Sequence, residues 1–466
     1  MSILYILLAL LVFGVLIFVH ELGHFLAARA CGVGILEFAI GMGPKIFSKK
    51  SKKSGTVYSL RLFPIGGYVS MLGENGMEAV QGENGIEKEE KTPFVLNSDE
   101  EPEKNEEHIE AIDPALAAHA YCNQSVWKRI LISLAGPFMN VLLGFLLMIG
   151  IVWASGSDSV GTTTVGAFHV QYTSETVREG GLQNGDYLSY IKDVDPDAQA
   201  VAVRDLNGLR EMIERSETDL FEVGVERMGA NGEVQYVKLE NISITPAVLE
   251  AHFQQSLSAQ KLQIGDEVIK VNGTRVHTAY ELAYEIMNQG HKPISFTVLR
   301  NGERVTLDAV QIPTVVDPAS NTVFGDVDFK VYPEDGFGVG TVLRHAWYRS
   351  TSTVKMVYDS LVGLFSGRYG VEAVSGPVGI TKTISDAAQT GILNLIYLVT
   401  VISINLGVMN LLPFPALDGG HLLLYLIEIV RRKPVKKEVE GIINFVGLVI
   451  LLALAVLIAI KDIIAL

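Results

Sequence analysis

Four long apolar segments constrain the fold of this 466-residue chain more than any other feature of its sequence. They cover residues 3–19, which run on into a short polar cluster, and residues 130–154, 392–412 and 442–460. Each is close to the roughly 20 residues that a helix needs to cross the hydrocarbon core of a bilayer. We therefore expect a multi-pass α-helical membrane protein with four transmembrane helices and both termini on one side.

The flanking charges predict the orientation of these helices. Lys and Arg follow the first segment and precede the second and the fourth, at Lys45, Lys49, Lys50, Lys52, Lys53, Lys128, Arg129, Arg431, Arg432, Lys433, Lys436 and Lys437. By the positive-inside rule these stretches are cytoplasmic, so both termini and residues 156–390 lie outside. The first segment lacks a basic n-region and a small-residue cleavage site, and we expect it to be retained. Cys31 and Cys122 both fall on the cytoplasmic side, so no outer disulfide framework is expected.

A polar cluster, His20-Glu21-Leu22-Gly23-His24, ends the first apolar segment. Two histidines four residues apart lie on the same face of a helix, so both imidazoles can bind one Zn²⁺, with Glu21 beside it as a general base. An ordinary charged helix face is the alternative. Ionisable residues next to bilayer-length apolar sequence are costly, which favours the metal site.

A catalytic zinc has three protein ligands, so a third must lie at membrane depth. The stretch Asn410-Leu-Leu-Pro413-Phe-Pro415-Ala-Leu417-Asp418 offers Asp418, and the two prolines should break the helix before it. His421 is a competing ligand. Asn410, and Asn140 in the second apolar segment, are candidate donors to substrate or to developing negative charge, although Asn140 also suits hydrogen bonding between helices.

A β-hairpin is predicted between the first two apolar segments. Residues 57–63 and 68–72 have strand character and are joined through Pro64-Ile65-Gly66-Gly67. Its free edge at Tyr68, Val69, Ser70 and Met71 would bind an unwound substrate as an added strand.

The outer region contains a repeated unit. Gly181-Leu182-Gln-Asn-Gly185-Asp186 and Leu262-Gln-Ile-Gly265-Asp266 each precede a strand, a helix at 206–215 or 279–288, and a hairpin with a turn at 229–232 or 301–302. This pattern resembles tandem PDZ domains, which bind extended peptides at a sheet edge. A purely steric role for either module stays open.

Two further segments flank these parts of the chain. Residues 339–365 predict an amphipathic helix on the membrane surface or packed against the spans, rather than a fifth span. Residues 74–113 hold fourteen acidic residues against three lysines, which accounts for −11 of the net charge of −15. We expect a solvated, partly disordered loop there, and no nucleic-acid partner.

Taken together, the three motifs resemble the site-2 protease family of intramembrane zinc proteases. They are His20-Glu21-x-x-His24, Gly136-Pro137-x-x-Asn140 and Asn410-x-x-Pro413-x-Pro415-x-Leu417-Asp418-Gly419. With the tandem modules and the block Ser375-Gly-Pro-Val-Gly-Ile380, the chain is similar to the bacterial regulator-of-sigma-E (RseP) type. The long acidic loop departs from that pattern.

The resemblance implies a zinc metalloendopeptidase of the bacterial inner membrane in which His20, His24 and Asp418 bind Zn²⁺ and Glu21 activates water. It implies a membrane-reentrant β element, periplasmic PDZ domains that filter substrates by size, and single-span substrates of the anti-sigma factor type that a first periplasmic cleavage has trimmed. The alternative is a membrane-tethered PDZ adaptor with a structural metal. An unrelated membrane metalloprotease with a Glu ligand is a third reading.

The expected segments are the following: helix 1 with the histidine motif, 1–30; the cytoplasmic-side hairpin segment, 31–73; the acidic loop, 74–125; helix 2, 126–156; the two PDZ domains, 160–245 and 246–314; the amphipathic helix and linker, 335–390; helix 3 with Asp418, 391–430; and helix 4, 438–461. The sequence names neither the natural substrate nor the scissile bond, and it leaves the oligomeric state open.

Overall fold

The computed structural model describes residues 3–74, 117–173, 181–228, 234–317, 322–368, 370 and 374–464. Most of the expected acidic loop, residues 75–116, and the expected turn at 229–232 lie outside the described residues. The chain divides into two compact units: residues 1–151, 353–362 and 374–466 form the first, and residues 152–352 and 363–373 form the second.

The α-helices of the described residues are distributed over both units. They are α1 (Ile3–Ala30), α2 (Val126–Ser155), α3 (Leu206–Arg215), α4 (Pro246–His252), α5 (Ala279–Met287), α6 (Val339–Phe365), α7 (Pro377–Thr390), α8 (Ile392–Asn410), α9 (Asp418–Arg431) and α10 (Lys437–Ile464). Four candidate membrane spans occur in the described part of the chain, in α1, α2, α8 and α10. This confirms the prediction of a multi-pass membrane protein. The amphipathic helix α6 has the predicted bounds and is not among the four spans.

The third apolar segment is broken as its prolines predict. Helix α8 ends at Asn410, and a new helix, α9, begins at Asp418. Between them Ala416 has a positive φ of 68°, a conformation that does not continue a helix. The expected third membrane segment, 391–430, therefore consists of two helices, because Pro413 and Pro415 cannot donate helical N–H bonds. Helix α7 was not predicted, because its sequence was assigned to a linker.

The cytoplasmic-side segment forms a sheet from two long strands, β1 (Ile35–Lys50) and β2 (Val57–Met71). Residues 37–40 pair with both 67–70 and 57–60, and residues 57–60 also pair with 47–50. The sheet therefore has four segments in the order 67–71, 35–40, 57–60 and 45–50. The predicted hairpin of 57–63 with 68–72 is wrong, because the two segments flank β1 instead of pairing with each other.

Glycines allow the strands of this sheet to bend. Gly41 and Gly43 in β1 have φ of 85° and 86°, and Gly66 in β2 has φ of 89°. These values lie in the left-handed region, which glycine adopts without steric cost. Strands β1 and β2 therefore form a hairpin that was not predicted from the sequence, and each strand bends back at its glycines.

The second unit contains two six-stranded antiparallel sheets and a small hairpin. Its strands are β3 (Gly161–Phe168), β4 (Val170–Tyr172), β5 (Tyr187–Asp193), β6 (Val201–Ala202), β7 (Leu220–Met228), β8 (Val234–Ser243), β9 (Phe253–Gln255), β10 (Glu267–Val271), β11 (Thr274–Arg275), β12 (Ile294–Arg300), β13 (Glu303–Val310), β14 (Thr314–Asp317), β15 (Thr322–Gly325) and β16 (Phe329–Pro333). One sheet has the order β8-β7-β5-β4-β9 with β6 on β5, and the other has β13-β12-β10-β3-β16 with β11 on β10. Each sheet covers its own hydrophobic core, together with α3 and α4 in one and α5 in the other.

The strand order nests the first module inside the second. Strand β3 pairs with β10 and β16, so residues 161–168 belong to the second sheet and not to the first module, to which the sequence assigned them. The second module likewise extends past residue 314 to β16. Pairing of strands distant in the chain decides this boundary, and the local repeat does not reveal it.

The repeated motif has the same contacts in both modules. Asp186 and Asp266 are buried, at 0% and 1% exposure. Asp186 accepts two hydrogen bonds from Arg227, both of 2.8 Å, and Asp266 accepts two from Arg300, both of 2.7 Å. Each carboxylate also accepts the backbone N–H three residues before it, at 2.8 Å. The Leu-x-x-Gly-Asp turn is therefore held by a paired, fully hydrogen-bonded buried carboxylate.

Candidate active site

Helix α1 carries two imidazoles on one face near the end of its apolar stretch. The Nε2 atoms of His20 and His24 lie 3.2 Å apart, as the four-residue spacing predicts. His20 is buried, and His24 and Glu21 are half-buried. The two rings therefore direct the same nitrogen toward one point.

Asp418 completes the cluster from the first position of α9. Its Oδ2 lies 3.1 Å from Nε2 of His20, and its Oδ1 lies 3.5 Å from Nε2 of His24. The break between α8 and α9 brings this carboxylate to α1 across nearly 400 residues of chain. Among the described residues, these three side chains are the group whose ligand atoms lie close enough to share a metal ion.

The outer nitrogens of both rings have partners on α2. Nδ1 of His24 donates to the backbone oxygen of Ile132 over 2.8 Å. Nδ1 of His20 lies 3.3 Å from the side-chain amide of Asn140, which is fully buried. The Oδ1 atom of Asn140 has no partner as the amide is placed. Exchanging its oxygen and nitrogen lets Oδ1 accept the Nδ1–H of His20, which leaves Nε2 of His20 free to bind a metal.

Close packing of α2 against α1 depends on two glycines. A Cβ on Gly136 would lie 2.3 Å from Nε2 of His24 and 2.8 Å from Nε2 of His20. A Cβ on Gly23 would lie 2.2 Å from the backbone oxygen of Ala135. All three distances are too short for any side chain. Gly136 therefore lets the backbone of α2 lie directly against the ligand nitrogens.

The spacing of the ligand atoms fits a zinc ion. Tetrahedral zinc with bonds of about 2.0–2.1 Å separates its ligand atoms by roughly 3.3–3.4 Å. The observed separations are 3.1, 3.2 and 3.5 Å. Two neutral imidazoles and one carboxylate are also the donor set of catalytic zinc sites, which leave one position for water or substrate. The residues present therefore suit a catalytic metal better than a closed structural one.

One strand of the β1–β2 sheet lies against Glu21. A Cβ on Gly67 would lie 3.3 Å from Cγ of Glu21 and 3.8 Å from Ile17. Residues 67–71 pair with 35–40 along one side, and no second strand among the described residues pairs with their other side. The segment that contains Tyr68, Val69, Ser70 and Met71 therefore begins beside the general-base candidate as a sheet edge.

Two other candidate residues lie apart from the ligand cluster. His421 pairs with Glu440 at the start of α10, at 3.3 Å, so the competing ligand is directed elsewhere. Asn410 is the last residue of α8, and no hydrogen bond among the described residues joins it to His20, His24 or Asp418. Sequence reasoning did not assign Gly136 or the backbone of Ile132 a role at the histidines. The signal for Gly136 was its place in the Gly136-Pro137-x-x-Asn140 motif.

Comparison with known proteins identifies the family. The pattern of Peptidase family M50 matches residues 8–454. The chain belongs to this peptidase family. This confirms the site-2 protease resemblance and the expectation of an enzyme of this class.

Curated relatives match over nearly their whole length. The zinc metalloprotease RasP of Bacillus licheniformis is 29% identical over 97% of this chain and 97% of its own. The regulator of sigma-W protease RasP of Bacillus subtilis is 28% identical over 97% of each chain. A putative zinc metalloprotease of Vibrio cholerae is 28% identical over 92% of this chain and 91% of its own. The expected cofactor, Zn²⁺, agrees with the metal in the names of these relatives.

Proposed function

We propose that this chain is a zinc endopeptidase that cleaves single-span membrane proteins within or at the edge of the bilayer. The observation that carries the proposal is the convergence of His20, His24 and Asp418 beside Glu21, on helices of which α1 is apolar enough to span a membrane. Ionisable groups at such a depth are costly and mark function.

The three ligands have distinct tasks in this mechanism. Nε2 of His20 and of His24 and the carboxylate of Asp418 would hold zinc. Zinc supplies a Lewis acid for the scissile carbonyl and lowers the pKa of bound water toward about 7. Asn140 and the backbone of Ile132 would fix the tautomer and orientation of the two rings, because each occupies the outer nitrogen.

Glu21 is the proposed general base. It is half-buried and adjoins His20 in the chain, so its carboxylate lies at the edge of the ligand cluster. It would take the proton of the attacking water and pass it to the leaving amide nitrogen. The apolar helices around it would keep bulk water from the intermediate steps.

A substrate helix must unwind before cleavage, since its carbonyls are otherwise bound within the helix. We propose that residues 67–71 bind the unwound segment as an added strand. The free edge of this segment and its position beside Glu21 support the idea, because a strand added there would pass directly in front of the cluster.

The substrate class and the membrane orientation are also proposals. The relative named regulator of sigma-W protease supports anti-sigma factors as substrates. The lysines and arginines around α1, α2 and α10 support a cytoplasmic side for the active site, with both termini and the second unit on the periplasmic side of a bacterial inner membrane. We further propose that the two modules of the second unit are PDZ domains that admit trimmed substrates only.

One experiment tests the enzymatic proposal. Zinc content and cleavage of a transmembrane peptide are measured for the wild type, Glu21→Gln, Asp418→Ala and, as a control, the exposed Glu438→Gln. We expect Glu21→Gln to keep its zinc and lose about 10²–10⁴-fold in rate. Asp418→Ala should lose zinc, and the control should match the wild type. Undiminished cleavage by Glu21→Gln would end the proposal.

The same measurements separate the competing adaptor function. A membrane-tethered adaptor with a structural metal would bind zinc in the wild type without cleaving any peptide. Such a site needs four protein ligands, whereas the described residues bring three together. Natural substrates are identified by trapping them on Glu21→Gln in cells.

A further inference from the structure

The outer half of the β1–β2 sheet exposes large apolar side chains. The described residues leave more than half of each of five side chains exposed, at 51–62%: Met42, Ile46, Phe47, Leu62 and Phe63. Exposed apolar patches of this kind indicate contact with a membrane or a partner. Both strands contribute, so the patch belongs to the sheet itself.

The strand register shows where the two ends of the sheet lie relative to α1. Ile35 pairs with Met71, and Val57 pairs with both Glu37 and Lys50. The turn at residues 51–56 is therefore level with the start of β1, where the chain leaves α1. The glycine bends at Gly41 and Gly66 lie at the opposite end, near the level of Glu21.

That turn carries a dense positive charge. Lys49, Lys50, Lys52 and Lys53, here called the lysine turn, are all exposed. No ion pair within 4.0 Å joins any of them to an acidic residue in the part of the chain that the structure describes. The turn is itself ordered by backbone hydrogen bonds from Ser51 to Thr56 and from Gly55 to Ser51, of 2.9 and 3.0 Å.

The apolar patch and the lysine turn have the arrangement of an interfacial anchor. The apolar side chains lie nearer the depth of the active site, and the ammonium groups lie at the level where α1 ends. A polybasic segment directly beside membrane-embedded sequence attracts anionic lipid head groups. Side chains of lysine reach outward to phosphate while their stems stay on apolar surface.

We propose that the lysine turn binds the phosphate groups of anionic phospholipids in the leaflet on the active-site side, and thereby holds the sheet in that leaflet. The inference rests on the membrane placement proposed above. It adds a lipid-binding surface. It also makes the position of strand 67–71 depend on lipid charge, because this strand and the lysine turn belong to one sheet.

The test measures lipid enrichment at the turn without using cleavage. A fluorophore is attached to the cysteine of Ser54→Cys. The background replaces Cys31 and Cys122 by serine and carries Glu21→Gln, and the protein is held in nanodiscs of phosphatidylcholine and phosphatidylglycerol. Quenching by spin-labelled head groups of each lipid gives their local ratio. The variants replace all four lysines by arginine or by glutamine.

We expect phosphatidylglycerol to be enriched about fivefold or more at the wild-type turn and at the arginine variant, and enrichment to vanish in the glutamine variant or at high salt. Equal quenching by both lipids in the wild type would overturn the proposal. Enrichment that survives glutamine substitution would also overturn it. The same holds if enrichment appears only after residues 78–110 are deleted, because the acidic stretch of this chain would then be the partner of the lysines. None of these outcomes affects the zinc and Glu21 measurements.

Discussion

At the scale of single residues, the imidazoles depend on side chains and backbone that are not ligands. The sequence left two roles open for Asn140, a donor to substrate or developing charge and a hydrogen bond between helices, and its amide lies at the outer nitrogen of His20. Partners of this kind set the tautomer and the basicity of a metal-binding histidine. A buried amide can orient a metal ligand or bind substrate. Its removal weakens zinc binding in the first case and cleavage alone in the second.

Asn140→Ala should weaken zinc binding by about 10–100-fold, because His20 loses the group that orients it. Competition with a graded series of chelators measures the affinity, and cleavage should largely return at saturating zinc. Thr400→Ala is the control, since the Thr400 hydroxyl bonds within its own helix. Unchanged zinc affinity with lost cleavage would instead assign Asn140 to the substrate.

Gly136 and Gly150 offer a matched pair on α2. A Cβ at Gly136 would fall 2.3 Å from a ligand nitrogen of His24, whereas a Cβ at Gly150 meets nothing within 4 Å. Gly136→Ala should therefore lose zinc and activity, and Gly150→Ala should keep both. Metal content of the two purified variants decides this, and equal zinc in both would show that α2 can move away from α1.

At the scale of elements, a half-buried carboxylate links the segments of the β1–β2 sheet. Glu37 lies in the central segment and accepts hydrogen bonds from Ser59, Tyr68 and Arg61, which come from the segments on either side. Burial by itself raises the pKa of Glu37, but these donors together with Lys45 lower it to about 2. The carboxylate is therefore charged at any pH at which the enzyme works, and it joins the edge strand to the rest of the sheet.

The edge strand provides the test of strand addition. Proline placed singly at positions 68 to 71 removes an N–H from one side of the strand or the other. Where that side is the free edge, we expect cleavage to be lost while zinc content and expression stay normal. Cleavage assays and zinc analysis on the four variants measure this. Full cleavage by every variant that folds would exclude strand addition.

Each module of the second unit depends on its buried Asp–Arg pair. Asp186→Ala leaves Arg227 without its partner and should destabilise the first module by about 3–5 kcal/mol. Pulse proteolysis of the full chain in urea measures this, with the exposed Asp197→Ala as a control expected within about 0.5 kcal/mol of the wild type. A loss as small as that of the control would mean that the pair contributes little.

At the scale of the whole molecule, nesting of the modules determines how they can be removed. Strand β3 begins the second sheet and β16 ends it, and the N–H of Glu334 donates to the oxygen of Val160 over 3.1 Å. The two ends of the nested pair are therefore adjacent. A cut at residue 313, where the sequence ends the second repeat, would leave β16 without β3, the strand with which it pairs.

Excision of residues 161–333 should therefore leave a chain that inserts, binds zinc and cleaves untrimmed substrates as well as trimmed ones. The physical reason is that the proposed filter consists of these two modules, so a chain without them has nothing left to exclude an untrimmed substrate. Cleavage of one substrate with and without its outer domain measures the selectivity. Selectivity equal to that of the full chain would refute the filter.

The sequence by itself determined the membrane class, the ligand types and the local elements. Bilayer-length apolar segments, a four-residue histidine spacing and prolines before Asp418 act through short-range geometry, so α1, the break after α8 and the Asn301-Gly302 hairpin could all be predicted. Only the tertiary structure decided the folding of β1 against β2, the nesting of β3, the turning of His421 toward Glu440 and the placing of Asn140 on His20. Each of these depends on pairing between residues far apart in the chain, and local periodicity carries no information about such partners.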